Sequence, residues 1–425
     1  MSPYQPGGNS GLPQYNDPRM TNYQPPGIDP AAAGPPLPPP PEGILGADGL
    51  PITPAYPGFS PPSNIMPPGT PTPLDVFVEE TRTGRFMFGI AVNSDAGLTG
   101  QITIDERNFD IAKPFGGWDD VATGTAYRGG GQGMRIEAQP GNRVQRYLIS
   151  FTDPYFWNDI SFNASAFYFD RNYIDWSESR YGGRLSWGYR LTPDLSVTGA
   201  LRAENINIFN PRVNTVAALN DVLGHSDLYS GRISLMHDTR DLPFMPTEGH
   251  LFEISYEQVF GSFDYPRGEV TYSQYFMLRQ RPDGSGRHTL ALTTKLGFSG
   301  SQTPIFENYF AGGFSTLRGF QFRGASPVEN GVQVGGQFQF INSAEYFFPL
   351  TADDMIRGTV FCDFGTVESD IALRGDNFRI APGFGFRINV PALGPAPLAF
   401  DFAFPIASAP GDIEQRFSFF FGATR

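Results

Sequence analysis

The chain has 425 residues, among them 50 Gly, 40 Pro and one Cys, and its 43 acidic and 30 basic side chains leave a net charge of −13. A lone cysteine, Cys362, and four scattered histidines exclude a disulfide scaffold and argue against a zinc centre, so no metal or cofactor is expected. With only two lysines, Lys113 and Lys295, the chain lacks the basic footprint of phosphate-backbone binding, and nucleic acid is not an expected partner.

Residues 1–73 hold 22 of the 40 prolines, ten glycines and only five charged residues. Such a stretch buries too little apolar surface to offset its ordering entropy, so a disordered, partly polyproline-II arm or linker is expected there. The first twenty residues show no charged start followed by an apolar core. If the chain works beyond an inner membrane, its true start lies upstream or has been removed. No apolar run approaches the 18 or so residues of a spanning helix.

From residue 74 onward the pattern changes to period two, the mark of strands with two unlike faces. Leu195, Val197, Gly199, Leu201 and Ala203 alternate with Ser196, Thr198, Ala200, Arg202 and Glu204. Phe252, Ile254 and Tyr256 alternate likewise with Glu253, Ser255 and Glu257. Sixteen such segments follow one another, at 84–93, 98–108, 132–139, 142–152, 159–171, 180–192, 195–208, 225–237, 248–261, 268–280, 287–299, 333–349, 355–365, 375–391, 395–405 and 414–423. Most match the length of a tilted bilayer span. The expected fold is therefore all-β, a 16-stranded antiparallel transmembrane β-barrel over residues 84–425. A barrel satisfies every backbone group in lipid and leaves no open sheet edge. A large soluble β-sandwich or β-helix is the rival reading. Several connections after even strands look short, such as Thr192-Pro193-Asp194 after the sixth and Arg281 to Gly286 after the tenth. The longest connection, 300–332 after the eleventh strand, should fold inward as an extracellular loop.

That loop carries the most specific residues. Gly312-Gly313-Phe314-Ser315-Thr316-Leu317-Arg318-Gly319-Phe320 resembles the loop signature of the BamA/TamA outer-membrane assembly-factor superfamily, closest to its BamA branch. Asp238, Arg240 and Asp241 with Pro246 and Gly249 resemble the family's turn after strand eight. Asn342–Leu350 and Phe361–Gly365 resemble its strand-twelve and strand-thirteen elements, and the ordered set spans about 76 to 425. The resemblance implies an insertase of the bacterial outer membrane, not an enzyme, that folds other barrels through a lateral seam between first and last strands. Gly84, Gly89, Phe417, Phe419 and Phe421 fall at that seam. It also implies membrane lipids and unfolded outer-membrane proteins as partners, with periplasmic chaperones and assembly lipoproteins beside them. Members carry POTRA domains ahead of the barrel. Here only residues 74–83 look like the remnant of a final POTRA strand, and the Ala423-Thr424-Arg425 tail extends past the aromatic terminus usual for barrels. A polypeptide-secretion barrel, a passive pore and a fragment without insertase activity are the competing readings.

Period two makes the loop signature chemically legible. Ser343, Glu345 and Phe347 share one strand face, and Phe361, Asp363 and Gly365 share the matching face of the next. Two lumenal carboxylates on adjacent strands form a target for one forked guanidinium, and Arg318 on the inward loop is the expected donor. Arg318, Gly319, Phe320, Glu345 and Asp363 are thus expected to form a loop latch, with a static plug as the plainer reading. No G-x-S-x-G elbow is present, and the histidines lack a visible nucleophile partner, so catalytic residues are not expected.

Overall fold

The computed structural model describes residues 83–123, 126–243, 245–390 and 397–421, together with a small ladder joining Ile44–Leu45 to Pro51–Ile52. The remaining Pro-rich arm, the 74–82 segment and the 422–425 tail lie outside the described residues.

Sixteen antiparallel strands close into one barrel. They are β1 Gly84–Asn93, β2 Gly97–Phe109, β3 Gln132–Gln139, β4 Val144–Trp157, β5 Ile160–Asn172, β6 Ser177–Arg190, β7 Leu195–Phe209 and β8 Gly224–Asp238. The second half comprises β9 Gly249–Gly261, β10 Tyr265–Arg279, β11 His288–Ser299, β12 Phe338–Pro349, β13 Ile356–Glu368, β14 Arg379–Ile388, β15 Leu398–Ala403 and β16 Phe417–Phe421. Each corresponds to one alternating segment of the sequence. The ends differ where another structure uses the alternation. β12 starts at Phe338 rather than 333, because Val332–Gln333 pairs with Val328–Glu329 inside the preceding loop. β4 runs on to Trp157 through an irregularity between Asp153 and Trp157.

The two faces differ as the alternation requires. Along β7, Arg202, Glu204, Ile206 and Ile208 are buried in the lumen while Leu201 is exposed outside. Charged side chains fill the inside, including Glu178, Arg180, Glu253, Glu257, Arg267 and Asp401, and Phe88, Ile104, Ile233, Ile254 and Phe384 stand outside. An apolar exterior around a charged interior is the inverse of a soluble sheet protein and suits lipid outside and water inside. No helix of the described residues is long and apolar enough to cross a membrane. The only α-helices among those residues are single turns in connections, Trp118–Ala122 and Ala217–Asn220.

The barrel has two unlike ends. Odd strands lead into 94–96, 140–143, 173–176, 210–223, 262–264, 300–337, 369–378 and 404–416, which make up the loop end. Even strands lead into the turn end, where most connections are short, such as 158–159 and 191–194. The 110–131 connection after β2 is the long exception at this end, and its base is closed by Phe109 stacked on Tyr127 at 5.5 Å. The apolar core sits under the loop end. Trp176, Ile206, Leu219, Leu228 and Val259 there pack around Ile305, Phe306 and Val332 of the long loop.

Candidate functional site: a plugged lumen and a short-paired seam

Residues 300–337 fold into the lumen and fasten to its wall at two places and to the 173–176 connection at a third. The first is Arg318, only 5% exposed. Its Nε and Nη2 donate to the two Asp363 carboxylate oxygens at 2.7 and 2.8 Å, and its Nη1 donates to Glu345 Oε1 at 3.1 Å. Nη2 also reaches Ser343 Oγ at 3.2 Å, the backbone N–H donates to Asp363 at 3.1 Å, and the guanidinium lies 3.4 Å from the Phe361 ring centre. Period two explains the convergence. Ser343 and Asp363 are cross-strand partners, as are Glu345 and Phe361, so all four point inward on one patch of β12 and β13. Gly319 follows with φ +95°, and a Cβ there would stand 3.1–3.2 Å from Pro405 and Ala403. Only glycine takes that turn cheaply beside the wall. Phe320 is buried with Leu317, Ile341 and Val367.

Two further members of this network were not legible as partners of the loop. Arg387 of β14 donates to Glu345 Oε1 at 2.9 Å and to Asp401 Oδ1 of β15 at 2.7 Å, and Asp401 lies 3.7 Å from Arg318 Nη1. Both residues stand on inward positions of strongly alternating strands, which was the available signal.

The second fastening reverses the charges. Glu307 of the loop, 6% exposed, receives Arg180 Nη1 of β6 at 2.5 Å and the Tyr265 hydroxyl of β10 at 3.2 Å. Arg202 of β7 and Arg267 of β10 stand 3.6 and 3.8 Å from the same carboxylate, and Arg267 also donates to the Glu307 carbonyl at 2.7 Å. The loop thus gives a cation to β12–β15 and an anion to β6, β7 and β10. The third fastening is aromatic. The Arg323 guanidinium lies 3.7 Å from the ring of Tyr173, in the 173–176 connection, and 3.9 Å from that of Phe310 in the loop itself.

The loop also touches the place where the barrel closes. Gly319–Phe320 forms a short ladder with Glu414–Gln415, immediately before β16, and Gln321 N–H donates to the Ile413 carbonyl at 2.8 Å. Phe314 stacks on Phe420 of β16 at 5.2 Å. Among the described residues the closure is short. Phe420 pairs with Asn93 and Phe421 with Val92, and Ser94 N–H donates to the Phe419 carbonyl at 3.1 Å. Among the described residues Gly84 to Ala91 have no ladder partner on that side, whereas β7 and β8 pair from His237–Leu195 to Gly224–Ile208. Gly84 and Gly89 lie in this unpaired stretch, with open space where a Cβ on Gly89 would stand. Phe417 and Phe419 stack along the outer face of β16 at 5.9 Å.

Asp95 sits at the β1–β2 tip under the loop. Burial pushes its carboxyl up to about 6, against the smaller opposing pull of the Ser94 hydroxyl, Arg171 and the Phe314 amide. At the turn end, Asp238 is bound by Arg240 through Nε at 2.9 Å and Nη2 at 2.8 Å. Asp241 accepts the Thr247 amide at 2.8 Å, the Thr247 hydroxyl at 2.6 Å and the Glu248 amide at 3.2 Å. Its carboxyl lies below the ordinary value, since these donors outweigh the effect of burial. Half-buried Pro246 enters the same turn, and Gly249 with φ +88° closes it. Among the described residues no group of three His, Cys, Asp or Glu is placed to hold a metal.

A closed barrel with an inward loop and one short-paired seam agrees with what sequence comparison finds, for residues 127–424 match the Omp85 superfamily domain. The chain belongs to the Omp85 superfamily. Among curated Omp85-type relatives, the outer membrane protein assembly factor BamA of Neisseria meningitidis serogroup B is 26% identical over 353 residues, covering 70% of this chain and 43% of the relative. BamA of Nitratidesulfovibrio vulgaris is 24% identical over 364 residues, covering 82% and 43%. The chain therefore spans less than half the length of these relatives. In fold it is similar to the crystal structure of Haemophilus ducreyi BamA lacking POTRA domains 1–3, with TM-score 0.67, 20% identity and coverage of 81% and 70%. It is also similar to CdiB from Acinetobacter baumannii, with TM-score 0.51, 11% identity and coverage of 80% and 59%. This Omp85 barrel is a protein of the bacterial outer membrane.

Proposed function

We propose that this chain is the barrel of an outer-membrane assembly factor, an insertase that folds other β-barrel proteins into the membrane through the β1–β16 seam. The observation that carries the reading is that, among the described residues, β16 pairs with β1 only at Val92 and Asn93 and leaves Gly84–Ala91 without a ladder partner on that side. Unpaired edge N–H and C=O groups in a bilayer are a template for an incoming strand, which β-augmentation satisfies residue by residue. Folding of the client supplies the free energy, so neither nucleotide nor cofactor enters the scheme. Unfolded outer-membrane proteins and membrane lipids are the direct partners in this reading, with periplasmic chaperones and assembly lipoproteins delivering clients. Residues 74–83 are read as the end of a POTRA strand and residues 1–73 as a linker.

Within it, Arg318, Glu345 and Asp363 form a latch that holds the loop, and the loop in turn braces β16 through Glu414–Gln415 and Phe420. The turn Asp238–Gly249 fixes the opposite end. The rival, a secretion barrel or passive pore, needs an open lumen, and the two buried ionic fastenings of the loop, at Arg318 and Glu307, speak against it. The test is folding of an unfolded client barrel into liposomes that contain the purified chain. Acceleration over empty liposomes supports insertion. Ion conductance without acceleration assigns a pore, and neither effect leaves an inert fragment.

A further inference from the structure

Below the Arg318 network, at the turn end of the lumen, lies a cavity of about 380 Å³. Its wall carries three guanidiniums, Arg287, Arg357 and Arg387, against one carboxylate, Asp354. Asp354 accepts the Gly286 amide through Oδ2 at 2.7 Å, and its carboxylate attracts Arg357 from beyond ion-pair distance. In a chain of net charge −13, a cup with that balance is out of character.

Register makes the excess sharper. Arg357 of β13 and Arg387 of β14 are direct cross-strand partners. Like charges directly opposite destabilise a sheet. Arg387 is compensated by Asp401 and Glu345 at 2.7 and 2.9 Å. Arg287 donates to Thr247 Oγ1 at 3.3 Å and lies 3.6 Å from Asp241. The Arg357 side chain has neither hydrogen bond nor ion pair among the described residues, and Asp354 is the carboxylate that attracts it.

We propose that this cup is an oxyanion site, in which a phosphate or a carboxylate lies against Arg357 and is bordered by Arg287 and Arg387. Forked guanidinium donors match both anions, and a partly enclosed cup strengthens the contact relative to open water. The site borders the loop network through Arg387, whose Nη2 donates to the same Glu345 oxygen that accepts from Arg318. An anion beside Arg387 draws that guanidinium toward itself and leaves Glu345 and Asp401 more available to Arg318. Occupancy therefore tightens the loop, and by linkage a docked loop favours the anion.

The test uses the whole chain in detergent micelles, without a client, and so is separate from insertase activity. Inorganic phosphate is titrated against chloride at matched ionic strength, and the thermal midpoint and the exchange of the Arg318 backbone amide are followed. Phosphate is expected to raise the midpoint and slow that exchange. Arg357→Gln is expected to weaken phosphate binding about tenfold or more, the scale of a lost charged hydrogen bond. Arg357→Lys, which keeps the charge, should retain part of the response and controls for folding, with circular dichroism as a second check. A tripeptide with a free terminal carboxylate that competes with phosphate, where its amide does not, assigns the site to polypeptide ends; failure to compete assigns it to the free anion. Equal responses of wild type and Arg357→Gln, or no response beyond chloride, overturn the site. Phosphate binding with unchanged Arg318 exchange overturns the link through Arg387.

Discussion

Truncating Arg318 to Ala should release the loop from the β12–β13 wall, and the structure says where the damage falls. Asp363, 1% exposed, loses both side-chain donors and keeps only Ser343 Oγ at 2.7 Å and the backbone N–H of residue 318. Glu345 keeps Arg387 at 2.9 Å and Thr359 Oγ1 at 2.9 Å, and Asp401 keeps Arg387. Removing one partner of a buried ion pair costs about 3–5 kcal/mol, because the remaining charge is uncompensated. Here one carboxylate out of three is stranded and the lumen borders water, so about 2–3 kcal/mol is expected. That corresponds to a roughly 30- to 150-fold rise in the population of undocked loop. Hydrogen exchange of residues 312–320 in proteoliposomes reads it directly. Adding Asp363→Asn in the Arg318→Ala background should recover part of the loss, since the stranded charge is then gone. Arg318→Lys should fall between, keeping the charge but not the fork. Wild-type exchange rates in Arg318→Ala would refute the reasoning, as would an Asp363→Asn effect that ignores whether Arg318 is present.

Glu307→Gln removes the only loop carboxylate facing Arg180, Arg202 and Arg267, but each arginine keeps a wall partner in Glu178, Glu204 or Glu269, so a smaller loss of about 1–3 kcal/mol is expected. Faster exchange confined to residues 303–309 is the check. Asp95 favours its protonated form in the folded chain, so its packing is stronger at pH 5 than at pH 7 and weakens as pH rises from about 4 to about 6. Asp95→Asn should flatten that dependence and stabilise the tip at pH 7 by on the order of 2 kcal/mol, read as a thermal midpoint across the same pH range. Gly249→Ala forces a Cβ to within 2.1 Å of the Thr239 carbonyl oxygen at positive φ, and should cost at least about 2 kcal/mol in denaturant titration.

How much of this was legible in the sequence follows from how local the causes are. Strand faces were legible because the two environments differ at every second residue; Phe252 and Glu253 cannot exchange sides without putting a charge in lipid. The convergence of Glu345 and Asp363 was legible because neighbouring strands in one hairpin keep register. The Glu307 clamp was not, since it joins residues separated by 127 positions, Arg180 and Glu307, along a loop path no periodicity encodes. The Arg323 aromatic contacts fail for the same reason. Strand ends slipped where loops carry their own small ladders, as at Val332–Gln333. The 110–131 connection lacks alternation, and the gap between the segments 98–108 and 132–139 already gave its length, though nothing in it announced the short contacts that close its base.

The central claim is that strands enter through the short-paired junction of β1 and β16. Val92 and Phe421 face each other there, so Val92→Cys with Phe421→Cys, in a background carrying Cys362→Ser, allows the junction to be closed by oxidation and reopened by a reductant. Client folding into proteoliposomes should drop to the rate of empty liposomes when oxidised and return on reduction. Undiminished acceleration by the fully oxidised chain would contradict the account.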